Sequence, residues 1–362
     1  MTNYKRKRPL VISFALQPVM KQMTGHFSQL EVRFVDDIAA PQRIAAYNQA
    51  AAMIAAGNAV SANTLEPWHN LEFVQTLGSG YNNLDIEELR KRGIVVAHNP
   101  AHNAQAVAEH AIMSAMYLLR DMDRAHRMVA EGRFADRRHL AGQIRDLSGL
   151  IVGLYGFGHI GQTMTRLLQP FGADVLYYQR HRVPAEEERY GARYVSANEL
   201  WTTADIVVLS VPLTQDTYHL VSEPQFAALK STAIVINVGR GPVVDEKALA
   251  LALTEGQIAG AALDVFETEP LSPDSPLLHL PEAIRSRILF SPHVSGVTQQ
   301  ALKKMTLAAL ENVQRFFSHE QPLHLLVPEE AVPPWTWQHV VRQKRAAIHR
   351  SEESADIRSP RR

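Results

Sequence analysis

The chain has 362 residues, which at roughly 150 residues per domain points to two domains. Hydrophobic residues make up 46%, 37 lysines and arginines balance 37 aspartates and glutamates, and there is no cysteine. A neutral, core-rich composition argues against bulk electrostatic binding to nucleic acid or membrane. The missing cysteines exclude disulfides, thiolate metal centres, iron–sulfur clusters and a thiol nucleophile.

The basic start, Lys5-Arg6-Lys7-Arg8, precedes an apolar run from Leu10 to Leu16 that is too short for a signal sequence and is broken by Gln17-Pro18. It reads as the lead-in to a first strand. No apolar run reaches the ~18 residues of a membrane span, so a cytoplasmic protein without membrane partners is expected. Short apolar runs then alternate with helical patterns, the signature of a parallel sheet covered by helices. The first set of strand candidates is LVISFAL, AAMIAAG, FVQTLGSG and IVVAHN. The second is LIVGLYGFG, ADVLYYQ, DIVVLSV, AIVINVG, AGAALDV and RILFSPH. Unbroken apolar runs of this kind suit strands buried on both faces.

Residues 104–128 contain neither Gly nor Pro and read as one extended helix linking the two sets. Ser196-Ala197-Asn198-Glu199 has the form of a capping box. Asp245 is placed to cap a helix carrying Lys247 to Leu253, with Gly256 at its end. A helix near 299–317 follows the last strand and is expected to return to the first domain. The expected organisation is a discontinuous substrate domain (1–103 with 298–330), a dinucleotide-binding domain (104–297) and a loosely ordered basic tail (331–362).

The motif GFGHIG, Gly156 to Gly161, follows a strand and opens a helix. In that context G-x-G-x-x-G is a dinucleotide fingerprint: a tight turn, a close approach of backbone to pyrophosphate, and helix–strand packing. Three further stretches end strands, where open α/β sheets bind ligands: NVGRG with Arg240, DVFETEP with Asp264 and Glu269, and SPHVSG with His293. Together they supply an anion binder, carboxylates and an imidazole, a set suited to proton transfer beside a hydride carrier. His98 and His102 flank Pro100 and are not paired on a helix, while His110 reads as a core or satisfied polar residue; no metal site is expected.

With VPLTQDT (Val211 to Thr217), these motifs stand in an order and spacing that resembles the D-isomer-specific 2-hydroxyacid dehydrogenases, of the glyoxylate/hydroxypyruvate reductase kind, over about residues 9–327. The resemblance implies two Rossmann-like, doubly wound parallel-sheet α/β domains with the active site in the cleft between them, and a homodimer. It implies hydride transfer between NAD(P) and a small 2-keto or D-2-hydroxy acid. By position, Arg240 would grip the substrate carboxylate, and His293 would be the acid/base, with Glu269 bonded to it to favour its protonated form. Ser79, Gly80 and Asn103 would also bind substrate. Cofactor contacts would come from the turn Gly156, Gly158, His159, Ile160 and Gly161, from Val211, Pro212 and Thr217, from Val238 and Gly239, and from Asp264, His293 and Gly296. Asp264 would orient the nicotinamide carboxamide.

The strand after the glycine turn ends in Gln179-Arg180-His181-Arg182, where NAD sites usually carry an acidic residue for the ribose 2′-hydroxyl. Gln179 removes the charge that would repel a 2′-phosphate, and Arg180, with Arg182 adding a second contact, can attract it, so NADP(H) is favoured over NAD(H). Formate dehydrogenases share the motif order but carry glutamine at the Glu269 position. Phosphite dehydrogenases keep the triad, and a dinucleotide-sensing corepressor on the same fold is a non-catalytic alternative; turnover of glyoxylate or phosphite separates them.

Overall fold

The structure is a computed structural model that describes residues 8–15 and 17–326; the basic start before residue 8 and the tail 331–362 lie outside the described residues. Its contacts divide the chain into two compact units, one comprising the residues up to His102 together with those from Leu302, the other Asn103–Ala301. Both are α/β with a wholly parallel sheet.

The first unit contains β1 (Leu10–Ser13), α1 (Gln17–Thr24), β2 (Glu31–Phe34), α2 (Ala40–Gln49), β3 (Ala52–Ala55), β4 (Phe73–Thr76), α3 (Ile86–Lys91) and β5 (Val95–Ala97). The strands lie in the order β2-β1-β3-β4-β5. Four of the five match apolar runs. The fifth, β2 with sequence EVRF, was not among the expected strands, because an edge strand can carry polar residues and Glu31 and Arg33 pair with each other at its surface. Both faces of this sheet are covered. Leu10, Ile12, Met53, Val74 and Val96 pack into one core, while Val11, Ile54 and Phe73 are buried too, Phe73 stacking on Phe316 with ring centroids 4.7 Å apart.

The second unit runs through α4 (Ala104–Leu119), α5 (Met122–Ala130), β6 (Ile151–Tyr155), α6 (His159–Leu168), β7 (Asp174–Tyr178), α7 (Pro184–Tyr190), β8 (Arg193–Tyr194) and α8 (Ala197–Thr203). It continues with β9 (Ile206–Leu209), α9 (Glu223–Ala228), β10 (Ile234–Asn237), α10 (Glu246–Thr254), β11 (Gly260–Leu263), α11 (Glu282–Arg285) and β12 (Ile288–Phe290). The helix α12 (Gln299–Phe317) crosses the boundary between the units. The seven strands are ordered β12-β11-β10-β9-β6-β7-β8. Their side chains alternate between two cores: Ile206 and Val208 face one, Val207 and Leu209 the other. This is the two-sided burial that unbroken apolar runs imply, each such side chain contributing about 1.5–3 kcal/mol.

Two local expectations are corrected. Residues 104–128 do not form one helix: α4 stops at Leu119, Asp121 turns into the left-handed region (φ 46°), and α5 begins at Met122. The reason is tertiary. The Leu119 carbonyl, which a continuous helix would give to the fourth amide on, accepts instead from the Arg145 N–H at 2.9 Å, and Asp is among the residues that tolerate left-handed backbone. At α8 the Ser196 side chain does accept from the Glu199 N–H (3.1 Å), but the Glu199 carboxylate pairs outward with Arg193 rather than closing a box. Asp245 caps α10 by accepting from the Lys247 and Ala248 amides, and Gly256 follows the helix with φ 70°. No helix among the described residues is long and apolar enough to cross a membrane.

Candidate active site

The glycine turn leaves β6 at Gly156, whose φ of 104° is open to glycine and rarely to other residues. A Cβ on Gly161 would lie 2.7 Å from the Gly156 carbonyl oxygen, so only glycine lets α6 start this close to the strand. Gly158 is the exposed N-cap of α6 and provides no side-chain cap, with exposed His159 and half-buried Ile160 next to it. A helix amino terminus preceded by such a cradle is suited to a pyrophosphate, whose charge the N–H groups and the helix dipole favour. The residues present therefore fit a dinucleotide.

Beside this turn, Gln179 accepts from the Phe157 N–H through Oε1 (3.3 Å) and donates through Nε2 to the His181 carbonyl (2.7 Å). Arg180 is 76% exposed, with Asp216 3.9 Å away. Arg182 does not share its position. Its Nε and one terminal nitrogen grip both oxygens of Glu187 at 2.8 and 2.9 Å, and Tyr177 donates to the same carboxylate at 2.6 Å. Those donors hold the Glu187 carboxyl down at about 2, Arg182 first and Tyr177 second. The expected second contact from Arg182 to a phosphate is thus corrected: the arginine is engaged within its own turn. Val211 and Pro212 follow β9, and Thr217 closes that loop by donating to the Pro212 carbonyl and accepting from the Thr214 N–H, both at 2.7 Å. The turn after β10 lies alongside it, since a Cβ on Gly239 would meet the Val211 carbonyl at 2.9 Å; Val238, the residue before, is buried.

The groups suited to proton transfer come together at the ends of β10, β11 and β12. Buried Asn237 knots the first turn, accepting from the Gly239 N–H (3.1 Å) and donating to the Arg240 carbonyl (2.9 Å). The Arg240 guanidinium donates to the Gly239 carbonyl at 2.7 Å; burial lowers its pKa from the ordinary value and the nearby Glu269 opposes that shift. An arginine remains charged at neutral pH nonetheless. Glu269 accepts from the Phe266 N–H through Oε1 (3.1 Å), and its Oε2 lies 2.7 Å from His293 Nδ1. His293 stands in the left-handed region at φ 54°, its N–H on the Asp264 carbonyl at 2.7 Å and its side chain half exposed.

Asp264 is 2% exposed and organises the loop that carries His293. Its Oδ1 accepts from the Ser291 hydroxyl (2.6 Å) and the Val294 N–H (2.9 Å), its Oδ2 from the Ser295 N–H (2.9 Å). His110 reaches the same hydroxyl at 3.1 Å. The sequence does not announce the contacts of Ser291, whose partners Asp264 and His110 lie in other segments, whereas Asn237 and the Phe266 amide bond within their own turns, to Gly239 and Arg240 and to Glu269. Asn103 precedes α4 without capping it, and its amide packs on buried Gly296, where a Cβ would come within 2.5 Å of Nδ2. In the first unit, exposed Ser79 and half-buried Gly80 follow β4, and the Ser79 carbonyl lies 3.3 Å from His98 Nδ1. Among the described residues no group of three or more His, Asp or Glu is arranged to hold a metal ion.

Residues 112–295 match the family model of the D-isomer specific 2-hydroxyacid dehydrogenase NAD-binding domain. Glyoxylate/hydroxypyruvate reductase B of Klebsiella pneumoniae subsp. pneumoniae is 34% identical over 309 residues, covering 84% of this chain and 94% of that one. Glyoxylate reductase of Korarchaeum cryptofilum is 37% identical over 271 residues, 75% of this chain and 80% of the relative. Among solved structures, the NADPH-dependent glyoxylate/hydroxypyruvate reductase of Sinorhizobium meliloti aligns with a TM-score of 0.73 at 28% identity, over 88% of this chain and 98% of that one. Fold, motif order and relatives agree: the chain belongs to the D-isomer-specific 2-hydroxyacid dehydrogenases, NAD(P)-dependent oxidoreductases acting on CH–OH groups.

Proposed function

We propose that the protein reduces small 2-keto acids of the glyoxylate/hydroxypyruvate type to D-2-hydroxy acids, with His293 as proton donor and NADPH as the preferred reductant. The observation that carries the chemistry is the 2.7 Å contact between His293 Nδ1 and a Glu269 whose other oxygen is held by backbone. With Nδ1–H directed at Glu269, Nε2 is the atom that delivers the proton to the substrate oxygen. The bound nicotinamide supplies the hydride to the carbonyl carbon. Arg240 holds the substrate carboxylate and draws charge toward the oxygen, assisted by Asn103, and Ser79 and Gly80 are the proposed substrate contacts of the first unit. Asp264 keeps the His293 loop in place and orients the carboxamide of the nicotinamide. The dinucleotide is bound by Gly156, Gly158, His159, Ile160 and Gly161 at its phosphates, and by Val211, Pro212, Thr217, Val238, Gly239 and Gly296 along its length.

The preference for NADPH rests on Gln179 and Arg180. Gln179 is neutral where a carboxylate would repel a 2′-phosphate, and the exposed Arg180 is the cation of the 179–182 turn that is not gripped by Glu187. The measurement is kcat/KM for both cofactors with glyoxylate. Wild type should prefer NADPH, and Gln179→Asp should shift the ratio toward NADH about tenfold or more, the worth of a charge-assisted contact. NADH preferred by the wild type, or a ratio unmoved by the aspartate, overturns it. The same reading makes the protein cytoplasmic and a homodimer, for which the exposed apolar side chains Met116 and Phe171, which border one pocket on the second unit, are candidate contacts with a second copy. A monomer mass by sedimentation at micromolar concentration would count against the dimer.

A further inference from the structure

At the start of α10 lies a carboxyl group, Glu246, that is only 7% exposed. It is tied to Glu267 in both directions. The Glu267 N–H donates to Glu246 Oε1 and the Glu246 N–H donates to Glu267 Oε1, each at 2.9 Å. The second oxygen, Oε2, accepts from the hydroxyl of buried Ser275 at 2.8 Å. Burying a polar group this deeply is costly unless it is hydrogen-bonded, and here both oxygens are.

The clamp joins two segments that carry chemistry. Arg240 stands shortly before Glu246 along one segment, and Glu269 two residues beyond Glu267 along the other. Between them the backbones are in tight contact: a Cβ on Gly241 would lie 1.7 Å from the Phe266 carbonyl oxygen and 2.6 Å from the Glu267 nitrogen. Phe266 in turn donates to Glu269, which meets His293. The His219 ring is set between the same segments, 3.6 Å from Asp245 and 3.2 Å from Glu267. A displacement of residues 266–269 would therefore carry Glu269 away from the imidazole while leaving the glycine turn at 156–161 where it is.

We propose that Glu246, with Ser275, is a positioning residue for the reaction: by clamping Glu267 it fixes the Glu269–His293 pair relative to Arg240. This rests on the activity proposed above, and it predicts a loss confined to the proton-transfer end. In the full-length protein, Glu246→Ala should lower kcat for glyoxylate reduction about tenfold or more, since small misplacements of a reacting group are costly. KM for NADPH should stay within about twofold, the cofactor end being untouched. The pH–rate profile should move toward that of Glu269→Gln. Glu246→Gln should restore most of the rate, because its oxygen still accepts from the Glu267 N–H and the Ser275 hydroxyl can accept from its amide.

A readout independent of turnover separates failure of this proposal from failure of the assigned activity. The downfield proton resonance of the His293–Glu269 contact, identified by its loss in His293→Ala, should shift or broaden in Glu246→Ala. If Glu246→Ala does not fold, Ser275→Ala removes only the Oε2 donor and should displace the same resonance in the same direction. A resonance and pH profile identical to wild type in the folded variant, even with a lowered Tm, would overturn the proposal by reducing Glu246 to a stabilising residue.

Discussion

In both units the strand order turns about the first strand: β1 lies between β2 and β3, and β6 between β7 and β9. The first strand–helix turn of each occupies the same topological place, the point at which open α/β sheets bind ligands. The residues filling that place differ. In the first unit Ser13 is fully buried, accepts from the Ala15 N–H and donates to Met20 Sδ, so side chains close the turn. In the second unit Gly156 and Gly161 leave it open, and the helix behind it starts without a side-chain cap. Topology alone thus does not make a dinucleotide site; the side chains absent from one turn and present in the other do.

The two units also differ in how their charged groups are held, and three measurements sharpen that contrast. The largest effect is expected at the ends of β11 and β12. His293→Ala should lose about 10²–10⁴-fold in kcat while still binding cofactor, because a general acid contributes that much and the glycine turn is untouched. Rates near wild type would remove His293 from the chemistry. The second is smaller and concerns acid. Burial, and then the neighbouring His324, lower the pKa values of His98 and His102 in the first unit below the ordinary 6.5. Their native forms bind fewer protons than the unfolded chain, so the stability they leave intact is full above 6.5 and is lost as the pH falls through the depressed values. In the second unit the same sign holds, but in a lower pH window. Glu187, depressed from 4.5 to about 2, contributes stability that is present above 4.5 and lost only as the pH falls toward about 2.

Hydrogen exchange, corrected for intrinsic rates, therefore should find protection in β4 and β5 weakening below pH 6.5 while β6 and β7 hold, and His98→Gln should lessen the difference. Uniform loss across both sheets would break the contrast. The smallest effect is expected from Glu187→Gln. It should lower Tm slightly at neutral pH and flatten the acid loss of the second unit between pH 4.5 and about 2, because the variant has no carboxyl to protonate. A steeper acid loss in the variant would contradict the pairing with Arg182.

The sequence by itself determined the α/β class, ten of the twelve strands, the glycine turn and the Asp245 cap, because each depends on residues adjacent in the chain. Buried strands need unbroken apolar runs, a turn with φ of 104° needs glycine, and a helix start is satisfied by an oxygen two or three residues away. The order of the motifs also brought Arg240, Glu269 and His293 forward as a set. Other features depend on partners far along the chain. Arg145 ends α4 from 26 positions beyond Leu119, Ser291 meets Asp264 across 27 residues, and His110 meets Ser291 across 181. Arg182 looked like a phosphate ligand until the fold of α7 brought Glu187 and Tyr177 against it. Only the tertiary structure could decide these, because a buried polar atom takes whichever donor the packed chain brings within hydrogen-bonding distance, and no periodicity in the sequence records that choice.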